Sequence, residues 1–232
     1  MKKEVEKAIN ELKKGNFILV YDADGREEET DFFISAEFVR PESIYRMRKE
    51  GGGLIFIMLK YDIAKKIGLP YLSEIIYNCS DKWPVFKEII PNDIPYDTKS
   101  SFSLTINHRK TFTGIRDIDR AMTISKFAEI VKLADKLESE EAMHIFGKNF
   151  RSPGHVPICI SAKNLLRERQ GHTELGVALA EMAGLAPVMA GCEMLDFGTS
   201  LSKEKAKEYA LRNGLVFVEG REIVEAWEEW QG

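Results

Sequence analysis

Cysteine is scarce in this chain and poorly placed for structural work. The three cysteines, Cys79, Cys159 and Cys192, are scattered, odd in number and never spaced as C-x-x-C. That pattern excludes a disulfide framework or a zinc ribbon and points to a reducing compartment. Cys159 lies in the apolar run 157–160 and reads as a small buried hydrophobe, not a nucleophile. Long apolar runs are missing as well: stretches such as 54–59 fall far short of the roughly 20 residues a membrane-spanning helix needs. The N-terminal MKKEVEKAINELKKG is charged and amphipathic, with no apolar signal core. Positive charge is not in excess either. The formal net charge is −4, which offers no sequence-wide attraction to nucleic acid or to an anionic membrane. Repeats, low-complexity tracts and linker-like breaks in composition are absent. The expectation is a cytoplasmic protein with no nucleic-acid and no membrane partner, in which an anionic ligand is held by a few local Arg, Lys or backbone donors.

What is present is an ordinary globular composition. Of 232 residues, 44% are hydrophobic and 30% charged, and a chain of this size buries roughly 70% of its unfolded surface without staples. Val5, Ala8, Ile9 and Leu12 recur at helical spacing over residues 1–14, with Gly15 as the stop. Apolar runs at 17–21, 54–59, 102–106, 156–161, 187–195 and 215–218 have strand length. Residues 22–25 read as a turn and 78–100 as mostly loop. Helices are predicted from Pro41 to about Lys49, over 124–137, over 173–183 with Thr173 or its neighbour as cap, over 203–212 closed by Asn213-Gly214, and from Glu222. Gly51–Gly53 lacks the Lys-Ser/Thr ending of a phosphate loop and reads as a tight turn. Strands and helices interleave throughout, which predicts a layered α/β fold: a single domain over 1–232 with one mixed, twisted β-sheet flanked by helices.

Four segments carry candidate chemistry. In Arg26-Glu27-Glu28-Glu29-Thr30-Asp31, an extended backbone would point Glu27, Glu29 and Asp31 to one face. Three carboxylates there repel unless they are solvated or relieved by a cation or a proton. Alone the segment reads as a solvated acidic loop, but Phe32-Phe33-Ile34 draws it toward the core. In Arg151-Ser152-Pro153-Gly154-His155, the Pro-Gly pair predicts a turn that delivers His155 to the mouth of a strand, as a general acid or base or as a surface residue. In Arg167-Glu168-Arg169-Gln170-Gly171-His172-Thr173-Glu174, a glycine before a helix start beside arginines makes a natural phosphate site. Glu193 stands in an apolar run, where a buried carboxylate must be paired or protonated.

The order of these segments resembles that of the 3,4-dihydroxy-2-butanone 4-phosphate synthases of riboflavin biosynthesis, whose members read roughly R-E-N-E-G-D, R-P-G-H, R-G-G-H-T-E and C-E. Here the sequence has Arg26-Glu27-x-Glu29-x-Asp31, Pro153-Gly154-His155, Arg169-x-Gly171-His172-Thr173-Glu174 and Cys192-Glu193. Thr113-Gly114 and Asp119-Arg120 resemble the family's T-T-G…D-R stretch. The resemblance implies a divalent-metal-dependent lyase converting D-ribulose 5-phosphate to L-3,4-dihydroxy-2-butanone 4-phosphate and formate. It implies Glu27 and His172 as metal ligands. Arg26, Glu27, Asp31, Arg169, Gly171 and Thr173 fall at substrate-binding positions, and His155, Glu193 and Glu29 at catalytic ones. It also implies Mg2+ as cofactor and a homodimer with sites at the subunit interface. A histidine ligand is more typical of manganese or zinc than of magnesium, so Mn2+ is expected to serve as an alternative.

The pattern departs from the family at Thr30, Ser152, Gln170 and Phe112, none of which is a proposed ligand or catalytic group. The chain ends at Gly232, leaving no room for the GTP cyclohydrolase II domain fused to some relatives, so a stand-alone form is expected. A metal-dependent sugar-phosphate isomerase or aldolase would use the same groups without releasing formate. A nucleotide- or RNA-binding module would need a basic, aromatic-lined groove, which the sequence does not show.

Overall fold

The helical stripe at the N-terminus is buried along one side of α1 (Lys3–Lys13), and Gly15, at a positive φ of 78°, turns the chain into β1 (Ile18–Tyr21). The structure, a computed structural model, describes residues 2–91, 93–97 and 99–232; Asn92 and Thr98 of the 78–100 loop, and Met1, lie outside the described residues. The remaining strands are β2 (Thr30–Ser35), β3 (Gly52–Leu59), β4 (Phe102–His108), β5 (Phe150–Ile160), β6 (Val188–Asp196), β7 (Thr199–Ser200) and β8 (Val216–Glu219). The helices are α2 (Pro41–Arg46), α3 (Tyr61–Lys66), α4 (Leu72–Asn78), α5 (Asp117–Ala134), α6 (Ser139–Asn149), α7 (His172–Met182), α8 (Lys203–Asn213) and α9 (Gly220–Gln231).

The strands form one mixed sheet in the order β4-β5-β3-β6-β2-β1-β8, with β7 hairpinned onto β6. The β3–β5 and β1–β8 pairs are parallel; the other ladders are antiparallel. This is the mixed α/β fold read from the interleaved pattern. Both faces of the central strands are covered, because side chains alternate across a strand. Phe32, Ile34, Ile55 and Ile57 pack toward α2, α3, α5 and α6. Phe33, Phe56, Met58 and Met189 pack toward α1, α7 and α9. Phe127 of α5 is fully buried edge-on to two aromatic rings, Phe146 and Phe150, and truncating such a residue to alanine costs about 3–5 kcal/mol. Helix α7 lies close on the sheet at Gly176, where a methyl group would sit 2.6 Å from the Met58 sulfur. That approach seats the start of α7 against β2 and β6.

Three readings change. Pro153-Gly154-His155 lies within the span of β5 and not before it, in a bulge over 152–155 between the Arg151–Asn107 and Val156–Ile106 pairs of the β4–β5 ladder. Proline cannot donate to a ladder, and Gly154 presses so closely on Ile106 and Asn107 that a side chain has no room. The side chains of Thr105 and Asn107 accept from Gly154 N–H and His155 N–H in place of backbone carbonyls. Helix α7 starts at His172, with Gly171 as its cap and no side-chain cap from Thr173. Helix α5 starts at Asp117, before the apolar stripe does, because the Asp119 carboxylate ties Gly114 N–H, Thr113 and Arg116 to its first turn. Helices α3, α4 and α6 have no strong apolar period in sequence.

Candidate active site

The site begins at the β1–β2 connection. Asp22, buried at the end of β1, accepts hydrogen bonds from Glu27 N–H (3.0 Å), Glu29 N–H (3.1 Å) and Arg26 Nη1 (3.1 Å). These bonds shape the loop, in which Glu28 takes a positive φ of 57°. Residues 26–29 are therefore a tight loop and not the extended strand expected, since an aspartate at a turn start collects the backbone donors that follow it. Glu27, Glu29 and Asp31 nevertheless line one cavity, of about 350 Å³. Arg169, His172, Thr173 and Glu193 join them in its wall, with Phe56, Tyr96 and Asp97.

At its floor Asp31 and Glu193 are direct partners across the β2–β6 ladder. Burial pushes both carboxyl groups above the ordinary carboxylate range, Asp31 well above it, and each also feels the charge of neighbouring acids. Asp31 Oδ1 and Glu193 Oε2 are buried without a hydrogen-bond partner. Gly53 makes room for Glu193: a methyl group there would lie 2.4 Å from the carboxylate. The triple glycine thus includes a position of close approach as well as a turn.

His172, also buried, stands between Glu27 and Asp31, with Nδ1 3.2 Å from Glu27 Oε2 and Nε2 3.6 Å from Asp31 Oδ1. Burial alone would lower its pKa, but Asp31 and Glu27 overcome this and raise it to about 10. Burial likewise works to raise Glu27, but His172 and Arg26 bring it down to about 2. A positive charge is plainly favoured among these acids. One donor atom each from Asp22, Glu27 and His172 lies within 4.8 Å of the others, and His172 Nε2 has no hydrogen-bond partner. Asp22 is already committed to the loop, so Glu27 and His172 are the groups available to a divalent cation. One carboxylate and one imidazole, completed by water or substrate oxygens, suit such an ion.

Above the acids two arginines meet. Arg26 Nη1 is 2.9 Å from Glu27 Oε1, and Arg169 Nη1 is 2.5 Å from Glu174 Oε2; the fully buried Glu174 also accepts from Ala162 N–H. Burial works against the Arg169 charge, but Glu174 and Asp97 more than compensate and hold it ionised. Gly171 lies behind the cavity wall, where a methyl group would sit 2.3 Å from Arg169 Nη1 and 2.7 Å from Arg26 Nη2. His155 is placed apart. It is exposed on β5, its Nδ1 3.0 Å from Asn107 Nδ2, and it does not line the cavity. Asp22, Asp97, Tyr96 and Phe56 were not singled out in sequence. Of these only Asp22 has a local signal, its place at the head of a turn.

A family model for 3,4-dihydroxy-2-butanone 4-phosphate synthase matches residues 6–226. The chain belongs to that family. It is 45% identical to the 3,4-dihydroxy-2-butanone 4-phosphate synthase of Methanothermobacter thermautotrophicus, over 98% of this chain and 97% of that one. It is 46% identical to the synthase of Methanosarcina mazei, over 98% of this chain and 92% of the other. Among solved structures it is similar to a 3,4-dihydroxy-2-butanone 4-phosphate synthase in complex with two magnesium ions, with a TM-score of 0.77, 26% identity and 98% of each chain covered. The cation-free form of such a synthase superposes with a TM-score of 0.76, at 25% identity and 98% coverage of both chains. The chain is thus an enzyme of the dihydroxybutanone phosphate synthase family, in riboflavin biosynthesis.

Against the family pattern, Thr30 is the buried first residue of β2, paired with Tyr21. Gln170 points away to the Leu166 carbonyl. Phe112 stands 81% exposed. None of these, nor Ser152, lines the cavity. Among the described residues no helix is long and apolar enough to cross a membrane.

Proposed function

We propose that the protein converts D-ribulose 5-phosphate to L-3,4-dihydroxy-2-butanone 4-phosphate and formate, as a magnesium-dependent homodimeric lyase in the cytoplasm. The observation that carries this is the meeting, around one small cavity, of Arg169 with Arg26 behind it, a histidine–carboxylate cation site, and the carboxyl groups of Asp31 and Glu193, each with a buried oxygen that has no hydrogen-bond partner. The volume suits a pentose phosphate.

In this reading Arg26, Arg169 and Thr173 hold the phosphate, and Gly171 clears the space that lets the two guanidinium groups converge. Glu27 and His172 would hold the metal, which when bound supplies Lewis-acid polarisation of the substrate's carbonyl and hydroxyl oxygens. The magnesium-bound relative supports this, and the imidazole in the ligand set supports manganese as an alternative. Asp31 and Glu27 accept from substrate hydroxyls. Glu193 Oε2, raised in pKa and unpartnered, takes and returns protons at the carbons being enolised and dehydrated. Glu29, whose Oε1 accepts from the Ser200 hydroxyl, is held at the rim as a further acid. The apolar wall from Phe56 and the buried floor limit water at the reacting carbons.

His155 enters from a second copy. It faces solvent and does not line its own chain's cavity. Leu54 and Leu195, two residues from Phe56 and Glu193 on the same strands, stand in solvent, as does the wholly exposed Phe197. Burying that apolar rim in a twofold interface would bring a partner's β5 toward the cavity mouth.

The test is formate release from D-ribulose 5-phosphate with magnesium. His155→Ala and Glu193→Gln should each abolish it. After subunit exchange, a mixture of the two variants should recover on the order of a quarter of wild-type activity, the share of intact sites in mixed C2 dimers. No recovery from exchanged, folded dimers would place His155 outside the partner's site.

A further inference from the structure

Asp97 belongs to the irregular segment before β4, far in sequence from both arginines, yet its Oδ2 accepts from Arg169 Nε at 2.5 Å and from Arg26 Nη2 at 3.0 Å. One carboxylate oxygen therefore bridges the two guanidinium groups, as a phosphate oxygen would. The other ion pairs of these arginines use different nitrogens, and Arg169 Nη2 stands 4.0 Å from Glu27 Oε1. Arg26 Nη1 is taken by Asp22 and Glu27, and Arg169 Nη1 by Glu174. Asp97 and Arg169 both line the cavity, and Arg26 stands behind Asp97 as its second donor, so a ligand that takes the place of the Asp97 carboxylate meets both guanidinium groups.

Charge makes this occupancy consequential. The two guanidinium groups already face Asp22, Glu27, Glu174 and Asp97. These four carboxyl groups outnumber the two guanidinium groups, so an incoming anion must compete with an acid already in place. Asp22 and Glu174 are buried and bonded to backbone N–H groups, and Glu27 is tied to His172. Asp97 lies in the irregular segment before β4, beside the half-exposed Tyr96.

We propose that Asp97 is a tethered competitor for the anion subsite: it bridges Arg26 and Arg169 until a phosphate group displaces it. The inference rests on the sugar-phosphate reading of the cavity. It makes Asp97 a specificity-determining residue, because only a ligand that brings its own anion replaces the bridge, and a neutral sugar leaves both arginines satisfied by Asp97. Measured phosphate affinity is then the intrinsic affinity of the arginine pair reduced by the fraction of molecules in which the bridge is open.

The experiment is calorimetric titration of the magnesium-loaded protein with inorganic phosphate, comparing wild type, Asp97→Asn, Asp97→Ala and Arg169→Gln, with thermal melts to confirm folding. Removing the competing charge should tighten phosphate binding by about tenfold or more in both Asp97 variants, and should lower KM for ribulose 5-phosphate. Arg169→Gln should weaken phosphate binding. If Arg169→Gln weakens binding while the Asp97 variants bind phosphate equally or less well, Asp97 positions the arginines and does not compete with the ligand, and the inference is overturned with the subsite intact. If no variant moves phosphate affinity, the anion subsite itself is misplaced and the inference falls with it. Formate release by wild type tests the reaction independently of either outcome.

Discussion

Asp31 and Glu193 oppose each other directly across the β2–β6 ladder, each with one buried, unpartnered carboxylate oxygen. Like charges at opposed strand positions destabilise a sheet, and burial raises both pKa values in response. A purely structural strand would not keep this pair. The upward shift of both groups, caused first by burial, fits a floor able to take and return protons.

Glu193→Gln should therefore separate stability from activity. Removing one of two repelling carboxyl groups, at almost unchanged volume, should raise the melting temperature of the metal-free protein by about 2–4 °C. Formate release should fall by roughly 10²–10⁴-fold, the usual contribution of a positioned acid or base. A lower melting temperature would show that Glu193 stabilises the floor.

Gly171→Ala places a methyl group against Arg169 Nη1 and Arg26 Nη2. The guanidinium groups must part, and losing one charge-assisted bond should weaken substrate binding about tenfold to a hundredfold. The position has an ordinary extended backbone, φ −86°, so the melting temperature should stay near wild type. Substrate titration with a parallel melt checks both.

Metal binding should release protons. The metal-free cluster holds His172 protonated up to about pH 10, because Asp31 and Glu27 outweigh the effect of burial. A metal ligand must be neutral imidazole, so divalent-ion affinity should rise with pH across the neutral range. Calorimetry in buffers of different ionisation enthalpy at pH 7 should show proton release in wild type and less of it in His172→Ala.

His108 sets an acid limit on stability. Burial, with Lys110 and Lys126 nearby, lowers its pKa below the ordinary 6.5. As pH falls through 6.5 the unfolded chain takes up a proton that the folded one refuses, so the unfolded state binds more protons and stability falls. His108→Gln should flatten the dependence of melting temperature on pH just below 6.5, though it gives up the edge contact with Phe150. An unchanged slope would assign the acid loss to other groups.

Much of the fold is legible in the sequence because the central strands are two-sided and apolar. The runs at 54–59 and 187–195 become β3 and β6 nearly as read. The first half of β5 is not legible, since Pro153-Gly154 carries turn chemistry and its ladder bonds come from the Thr105 and Asn107 side chains. Helix α6 is polar over most of its surface, with only Ala142 buried. The acidic segment and the helix start at His172 can be read as candidates. What local patterns cannot show is that a β2 residue and a β6 residue become neighbours, or that Asp97, in a stretch of prolines and acids, reaches two arginines. Those relationships come from strand order and loop closure.

The most direct test of the central claim is to measure, in one magnesium-loaded reaction, ribulose 5-phosphate consumed and formate produced. The expected result is equal amounts of each, with both lost on chelation. Consumption without formate would make the cavity that of an isomerase or aldolase and contradict the account.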